Sequence, residues 1–403
     1  MKYSRFRFPR VLLGFLLLVL TVAGCGSDDT NNQEDSSSVD LSTPWAELTD
    51  FFPPEELGPY DVGVTTLMFI DESRWEVWGD MPRTLPVEVW YPAAGPGDTN
   101  TTMDMVGPIP KWAQGVMDAI YGDLLPEVMG LVTKAGRDAP PIVLDQPFPL
   151  IIFSHGLSAI RFQNFTLCEH LASHGFVVVS PDHYANAIFT NIPDEQVVIL
   201  NPLSTLAGVY DRLVDIQFVY DTMQNLPAES GDISLVPPID FSHVGMTGHS
   251  YGGLTTMQAG AIHPFIDAIA PLNPIFLPWY PHSFNKPFLM LQSEFDEIVG
   301  IGNEATRRAF DMAEADYKLH INLLRGSHYS ATDACSLVPE MFRGPERGCD
   351  VPTHIPVALA NQVSAGYVTA FFKRFVAEDV RYEDYLLENR YPEEVETDVF
   401  WPE

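Results

Sequence analysis

A chain of 403 residues with 46% hydrophobic content can fill the core of one large α/β domain or two small ones. Lys and Arg number 22 against 54 Asp and Glu, a formal net charge of −32. Such a field repels nucleic acid and anionic membrane surfaces, so neither is expected as a partner, and the acidity serves solubility.

At the amino end, Lys2, Arg5, Arg7 and Arg10 precede an apolar run from Val11 to Val22. Basic, then apolar, and too short to span a bilayer comfortably, the pattern predicts an export signal over residues 1–24. Val22-Ala-Gly-Cys25 resembles the lipobox of bacterial lipoproteins. That resemblance implies lipid attachment at Cys25 and membrane association through this anchor, in the bacterial cell envelope on its periplasmic or surface side. Residues 25–43, rich in Ser, Asp and Asn and without apolar periodicity, read as a disordered acidic tether to a single domain over 44–403.

Val62 to Ile70 and Leu85 to Tyr91 alternate apolar with polar or small residues around a turn-like Gly79-Asp-Met-Pro, and predict an antiparallel pair. Residues 92–147 break the pattern. A loop at Gly95-Pro-Gly-Asp-Thr-Asn and helical spacing from Trp112 to Val132 predict an insertion after the second strand, either a lid over a site or an extra surface helix. Phe148-Pro-Leu-Ile-Ile-Phe153 is continuously apolar, the mark of a strand buried on both faces of a parallel sheet. Helices at Asn164 to His174, Leu203 to Leu226, Asn303 to Ala315 and Ile355 to Val376 then alternate with strands at Phe176 to Ser180, Ile266 to Leu272, Pro287 to Gln292 and Tyr317 to Leu324. This alternation predicts the α/β class, a mostly parallel doubly wound sheet with helices on both faces. The tail from Glu378 to Glu403 is acidic with interspersed aromatics, and its packing is open.

Val244-Gly-Met-Thr-Gly-His-Ser250-Tyr-Gly-Gly253 leads an apolar approach into G-x-S-x-G and then into a helical stretch. That is the pattern of a nucleophile elbow, in which a sharp strand-to-helix turn holds a serine hydroxyl outward. Gly248 and Gly252 suit a turn where side chains would meet neighbouring backbone. A serine is a poor nucleophile alone and needs a histidine base oriented by an acid. In elbow-bearing sheets these follow the serine in the order acid, histidine, each at a strand's carboxyl end. Asp296, in Ser293-Glu-Phe-Asp296, and His328, in Gly326-Ser-His328, occupy such places. Two backbone N–H groups would stabilise an oxyanion, one from Tyr251 and one from Leu157 after His155-Gly156. His155 and His249 are expected to brace their loops by hydrogen bonding.

Leu85-Pro-Val-Glu-Val-Trp-Tyr-Pro, Phe153-Ser-His-Gly-Leu-Ser-Ala-Ile-Arg161, Leu171-Ala-Ser-His-Gly-Phe-Val177 and Gly248-His-Ser-Tyr-Gly-Gly resemble the platelet-activating-factor acetylhydrolase family of plasma and intracellular type. They also resemble its bacterial relatives near the dienelactone and polyester hydrolases. The resemblance runs from about Leu85 to His328 and implies the α/β-hydrolase fold. It further implies a calcium-independent, lipase-like esterase with Ser250 as nucleophile, Leu157 and Tyr251 as oxyanion donors and His328 as base. One departure stands out. Mammalian members carry the acid after the sixth strand, where this chain has Pro271-Leu-Asn273-Pro and no carboxylate. Asp296, after the seventh strand, is therefore the preferred acid, with Asp267 in reserve.

Cys168, Cys335 and Cys349 lack the paired spacing of a zinc site, and no metal or organic cofactor is expected. In an exported chain Cys335 and Cys349 could bridge just beyond His328, leaving Cys168 a buried thiol. The expected function is an exported serine carboxylic-ester hydrolase working through an acyl-enzyme on a small-molecule or lipid ester, with Trp279 and Tyr280 as candidates for an apolar pocket. Three alternatives stand beside it: a polyester or cutinase-like hydrolase, a peptidase or lactone hydrolase, and a catalytically inactive surface-binding lipoprotein.

Overall fold

The computed structural model describes residues 51–402 other than 77–80, 108–110, 112–114, 116–117, 119–129, 143, 145, 193–195, 202–203, 227–235, 277–284, 301, 338–348 and 350. The export signal, Cys25, the tether, the turn at residues 79–80, Trp279, Tyr280 and most of the helix expected over 112–132 lie outside the described residues.

The leading hairpin is longer than its apolar alternation predicts, because pairing continues past the buried stretch. Asp61–Glu76 (β1) and Met81–Ala93 (β2) run antiparallel, with a register shift between Asp71 and Trp75. The insertion that follows contributes sheet as well. Asp98–Thr101 (β3), a short helix Thr102–Val106 (α1) and Val132–Arg137 (β4) fold so that β4 pairs with both β3 and β1. Gly136 is needed there, since a Cβ would come within 1.7 Å of the Pro96 carbonyl oxygen.

Phe148–Ser154 (β5) is buried at every residue, as its unbroken apolar run requires. Phe165–Ser173 (α2), Val177–Pro181 (β6), a hairpin of Phe189–Ile192 (β7) and Gln196–Ile199 (β8), and the long Ser204–Gln224 (α3) lead to Ile239–His249 (β9). Tyr251–Ile262 (α4), Ala268–Leu272 (β10), Phe288–Phe295 (β11), Gly302–Met312 (α5) and Lys318–Ser327 (β12) continue the alternation. Ala334–Leu337 (α6), Val357–Phe375 (α7), Glu383–Leu387 (α8) and Val395–Phe400 (β13) complete it. The acidic tail packs: β13 adds an antiparallel edge to β12.

The strands form one sheet in the order β13-β12-β11-β10-β9-β5-β6-β2-β1-β4-β3, with β7 and β8 apart. Its centre, β6 through β12, is parallel. Because side chains alternate along a strand, β5 feeds two cores. Ile151 and Phe153 join Leu171, Phe371 and Phe372 from α2 and α7 on one face. Leu150 and Ile152 join Ile216, Leu254 and Phe310 from α3, α4 and α5 on the other. Because β5, β9, β10, β11 and β12 run parallel, their carboxyl ends release their loops from one common edge of the sheet.

Candidate active site

Ser250 stands between β9 and α4 with φ 58° and ψ −113°. Such a conformation costs a non-glycine residue about 1–3 kcal/mol and persists only where the surroundings impose it. Here they do. The Ser250 N–H donates to the Leu272 carbonyl at 2.9 Å, and its own carbonyl accepts from Leu254 N–H at 3.1 Å and Ile275 N–H at 3.2 Å. Ser250 is partly exposed between buried neighbours His249 and Tyr251. The two glycines are sterically compelled: a Cβ on Gly248 would lie 2.6 Å from the Ser154 carbonyl oxygen, and one on Gly252 1.8 Å from that same atom. The elbow therefore rests on the backbone of the segment leaving β5.

That segment, Ser154-His155-Gly156-Leu157, is held from several sides. The Gly156 N–H donates to Gln163 Oε1 at 2.8 Å. The Leu157 N–H has no acceptor among the described residues. His155 donates from Nδ1 to the Gly156 carbonyl at 2.6 Å and accepts the His183 N–H on Nε2 at 3.1 Å, so it braces the loop as expected. Burial holds its pKa well below the usual histidine value. At the far end of the loop, Arg161 ties itself to Asp182 at 2.6 Å and to Glu88 at 3.0 Å, which accounts for the arginine in the Ser-His-Gly-Leu block.

Asp296 and His328 meet. His328 Nδ1 lies 2.7 Å from Asp296 Oδ2, while Asp296 Oδ1 accepts Ile298 N–H at 3.1 Å and Val299 N–H at 2.9 Å. With backbone donors on one oxygen and the ring on the other, the carboxylate acts as acceptor throughout; Nδ1 carries the ring proton and Nε2 the lone pair. The His328 carbonyl accepts from His249 Nε2 at 2.8 Å and from Asn273 Nδ2 at 3.0 Å, and the two imidazole centroids are 4.6 Å apart. The pair is thereby set against the residue preceding Ser250. Asp267 is elsewhere. It precedes β10, whereas Ser250 follows the parallel β9, and its carboxylate accepts the Val244 N–H at 2.7 Å. Burial pushes its pKa up to about 6.

A second serine, histidine and aspartate lie beneath the loop. Ser154 Oγ is 2.9 Å from His183 Nε2, and His183 Nδ1 is 2.9 Å from Asp215 Oδ2, with all three residues 0% exposed. Burial works against the Asp215 charge, yet the Arg83 guanidinium, 2.6 Å away, outweighs it and holds the carboxyl well below its usual range. Burial lowers His183 to about 4. The neutral ring thus donates to Asp215 and accepts the Ser154 hydroxyl. No ester reaches groups so enclosed, and their effect is mechanical. Arg212, also 0% exposed, adds to it by donating to the His155 carbonyl at 2.5 Å while its guanidinium lies 4.6 Å from the Tyr251 ring centroid.

Cys335 and Cys349 are bridged, with Cα atoms 5.5 Å apart, and Cys168 is a buried free thiol. Sequence reasoning missed Gln163, Asn273 and the Arg212–His183–Asp215 brace. Arg212 and Asp215 did leave a trace, two charges three residues apart within a helix that must bury one face. Gln163 and Asn273 left none, since their partners are backbone groups or residues distant in the chain.

Strand order and elbow together define the α/β-hydrolase fold. Residues 49–199 match the family model of platelet-activating factor acetylhydrolase, isoform II, and residues 140–323 that of the dienelactone hydrolase family. A platelet-activating factor acetylhydrolase of Cavia porcellus is 30% identical over 32% of this chain and 28% of its own length. A cutinase of Thermobifida alba is 27% identical over 59% of this chain and 62% of its own. The chain thus spans less than two thirds of either relative. Among solved structures, a ferulic acid esterase of Streptomyces cinnamoneus superposes with a TM-score of 0.66 at 25% identity, covering 84% of this chain and 96% of that one.

Proposed function

We propose that this chain is a serine carboxylic-ester hydrolase. One observation carries the reading: the His328–Asp296 pair, bonded at 2.7 Å, is tied through its backbone to the residue before the strained Ser250. Ser250 Oγ attacks the ester carbonyl carbon and passes its proton to His328 Nε2. The Leu157 and Tyr251 N–H groups receive the developing oxyanion, a role in which one donor contributes roughly 100- to 1,000-fold in rate. Collapse releases the alcohol, which takes the proton from His328, and leaves Ser250 acylated. Water, deprotonated by His328, then frees the carboxylic acid and restores the serine. Asp296 holds the imidazole orientation and stabilises its cationic form in both halves.

The named relatives support ester substrates, small or lipid-derived, and the cutinase match supports a polyester reading equally. The amino-terminal pattern supports export and anchoring through Cys25 in the cell envelope. Hydrolysis of p-nitrophenyl esters of graded acyl length by wild type and Ser250→Ala tests the class: activity that survives the substitution refutes it. Release of soluble acids from a polyester film separates the two substrate classes. Palmitate incorporation that persists in Cys25→Ala would remove the anchor.

A further inference from the structure

We infer that Gln163 and His249 are positioning residues that lock the oxyanion segment and the catalytic histidine loop to each other through a single directed hydrogen-bond chain. This rests on the serine-hydrolase reading and extends it. The chain starts at the Gly156 N–H, which donates to Gln163 Oε1 at 2.8 Å. Gln163 Nε2 meets His249 Nδ1 at 2.7 Å, and His249 Nε2 meets the His328 carbonyl at 2.8 Å. One end is a backbone N–H that can only donate, the other a carbonyl that can only accept. Every proton between them is therefore fixed: the glutamine amide must donate to Nδ1, and Nε2–H must donate onward.

Both side chains are nearly enclosed, Gln163 at 5% and His249 at 1% exposure, so water does not compete for these bonds. The chain also spans what the sheet cannot. Gly156 follows β5 and precedes the proposed oxyanion donor Leu157, His249 ends β9 and precedes Ser250, and His328, the proposed base, follows β12. A further backbone bond, Asp333 N–H to the Gln163 carbonyl at 3.1 Å, ties the same glutamine to the histidine loop from its other side. The histidine in the elbow motif thus acts through its neighbours rather than on substrate.

The test compares Gln163→Met with Gln163→Glu. Methionine keeps the volume and loses both bonds. Glutamate keeps an acceptor for Gly156 and, as the neutral acid that such burial favours, donates its O–H to His249 Nδ1 and keeps that bond as well. If the chain positions the loops, kcat on a p-nitrophenyl ester, corrected for folded fraction, falls roughly 10- to 100-fold in Gln163→Met, with KM within about twofold, as for a misplacement near 1 Å. Gln163→Glu retains more activity. A residue that merely fills space gives the reverse order, methionine mild and the buried charge harmful, and that order overturns the inference. Amide hydrogen exchange gives a readout independent of catalysis: segments 155–158 and 327–330 must both lose protection in Gln163→Met, and unchanged protection in either overturns the inference. If Ser250→Ala leaves hydrolysis intact while the exchange result holds, the esterase reading fails alone.

Discussion

Replacing Gly252 with alanine sets two effects of opposite sign against each other. Gly252 lies in the first turn of α4, where alanine would ordinarily stabilise a helix by about 0.8–1 kcal/mol. Yet its Cβ would sit 1.8 Å from the Ser154 carbonyl oxygen and 2.8 Å from that of His155, where ordinary contact starts near 3.4 Å. Relief requires the segment leaving β5 to retreat by about 1.6 Å, the difference between these distances. That retreat is resisted, because Ser154 is bonded to His183 at 2.9 Å and the His155 carbonyl to Arg212 at 2.5 Å. Overpacking of this kind costs about 1–3 kcal/mol, which the helix gain offsets only in part, so Gly252→Ala should be less stable by up to about 2 kcal/mol. Catalysis should suffer more, since moving the Leu157 N–H by over 1 Å costs on the order of 100-fold in kcat. Urea unfolding at constant m-value and ester hydrolysis measure the two losses. Gly95, whose Cβ would meet nothing within 4 Å, is the control and should shift stability by under about 0.5 kcal/mol as alanine. A Gly252→Ala protein more stable than wild type and equally active would refute the reasoning.

Asp296→Asn should lower kcat on the order of 10,000-fold with KM little changed, because the amide no longer imposes the Nδ1–H tautomer on His328; steady-state kinetics decide it. Asp215→Ala should destabilise by about 3–5 kcal/mol, read from the urea midpoint, since it leaves the buried Arg83 guanidinium without its 2.6 Å partner. Replacing both Cys335 and Cys349 with alanine should cost about 3 kcal/mol by the same measurement, the loss expected when a loop of this length is opened. Acid should weaken the fold. Burial lowers His183 and His320 to about 4 and His174 to about 3, so below their ordinary 6.5 the unfolded chain takes protons these rings refuse, and stability falls with pH. Burial raises Asp267 to about 6 and Asp333 to about 7 from 3.8, which acts in the opposite sense over the same range. Among the described residues seven rings are lowered and five carboxyls raised, so the balance is a loss of stability as pH falls from roughly 6 to 4, and a flat urea midpoint across that window would contradict the burial argument.

The parallel centre of the sheet was legible because burial on both faces writes itself as unbroken apolar runs, as in Phe148 to Phe153. Its margins were not. Asp98–Thr101 is DTNT and β13 is VETDVF, edge strands held by backbone pairing that leaves side chains half in water, so no apolar period marks them. The β1 extension to Glu76 escaped for the same reason, with Glu72 and Ser73 exposed beyond the buried stretch. Around the candidate site, Ser250, Asp296 and His328 stand out as candidates in the sequence because order and strand-end placement are constrained by chemistry.

What holds those three residues could not be read, and the physics says why. A loop that leaves a sheet carries backbone N–H and C=O groups with no strand partner, and enclosing them demands side-chain partners. The partner can come from anywhere that folding brings near: Gln163 serves Gly156 seven residues away, while Asn273 serves His328 across 55. Type alone does not distinguish such an amide from a solvated one. The constraint becomes visible only when donors and acceptors are followed to fixed ends, as from the Gly156 N–H to the His328 carbonyl. It follows that the elbow histidine, chemically the most conspicuous neighbour of Ser250, is occupied at both nitrogens and has no lone pair or proton left for the reacting ester. Among the described residues His328 spends only Nδ1, on Asp296, and that difference separates the proposed base from a brace.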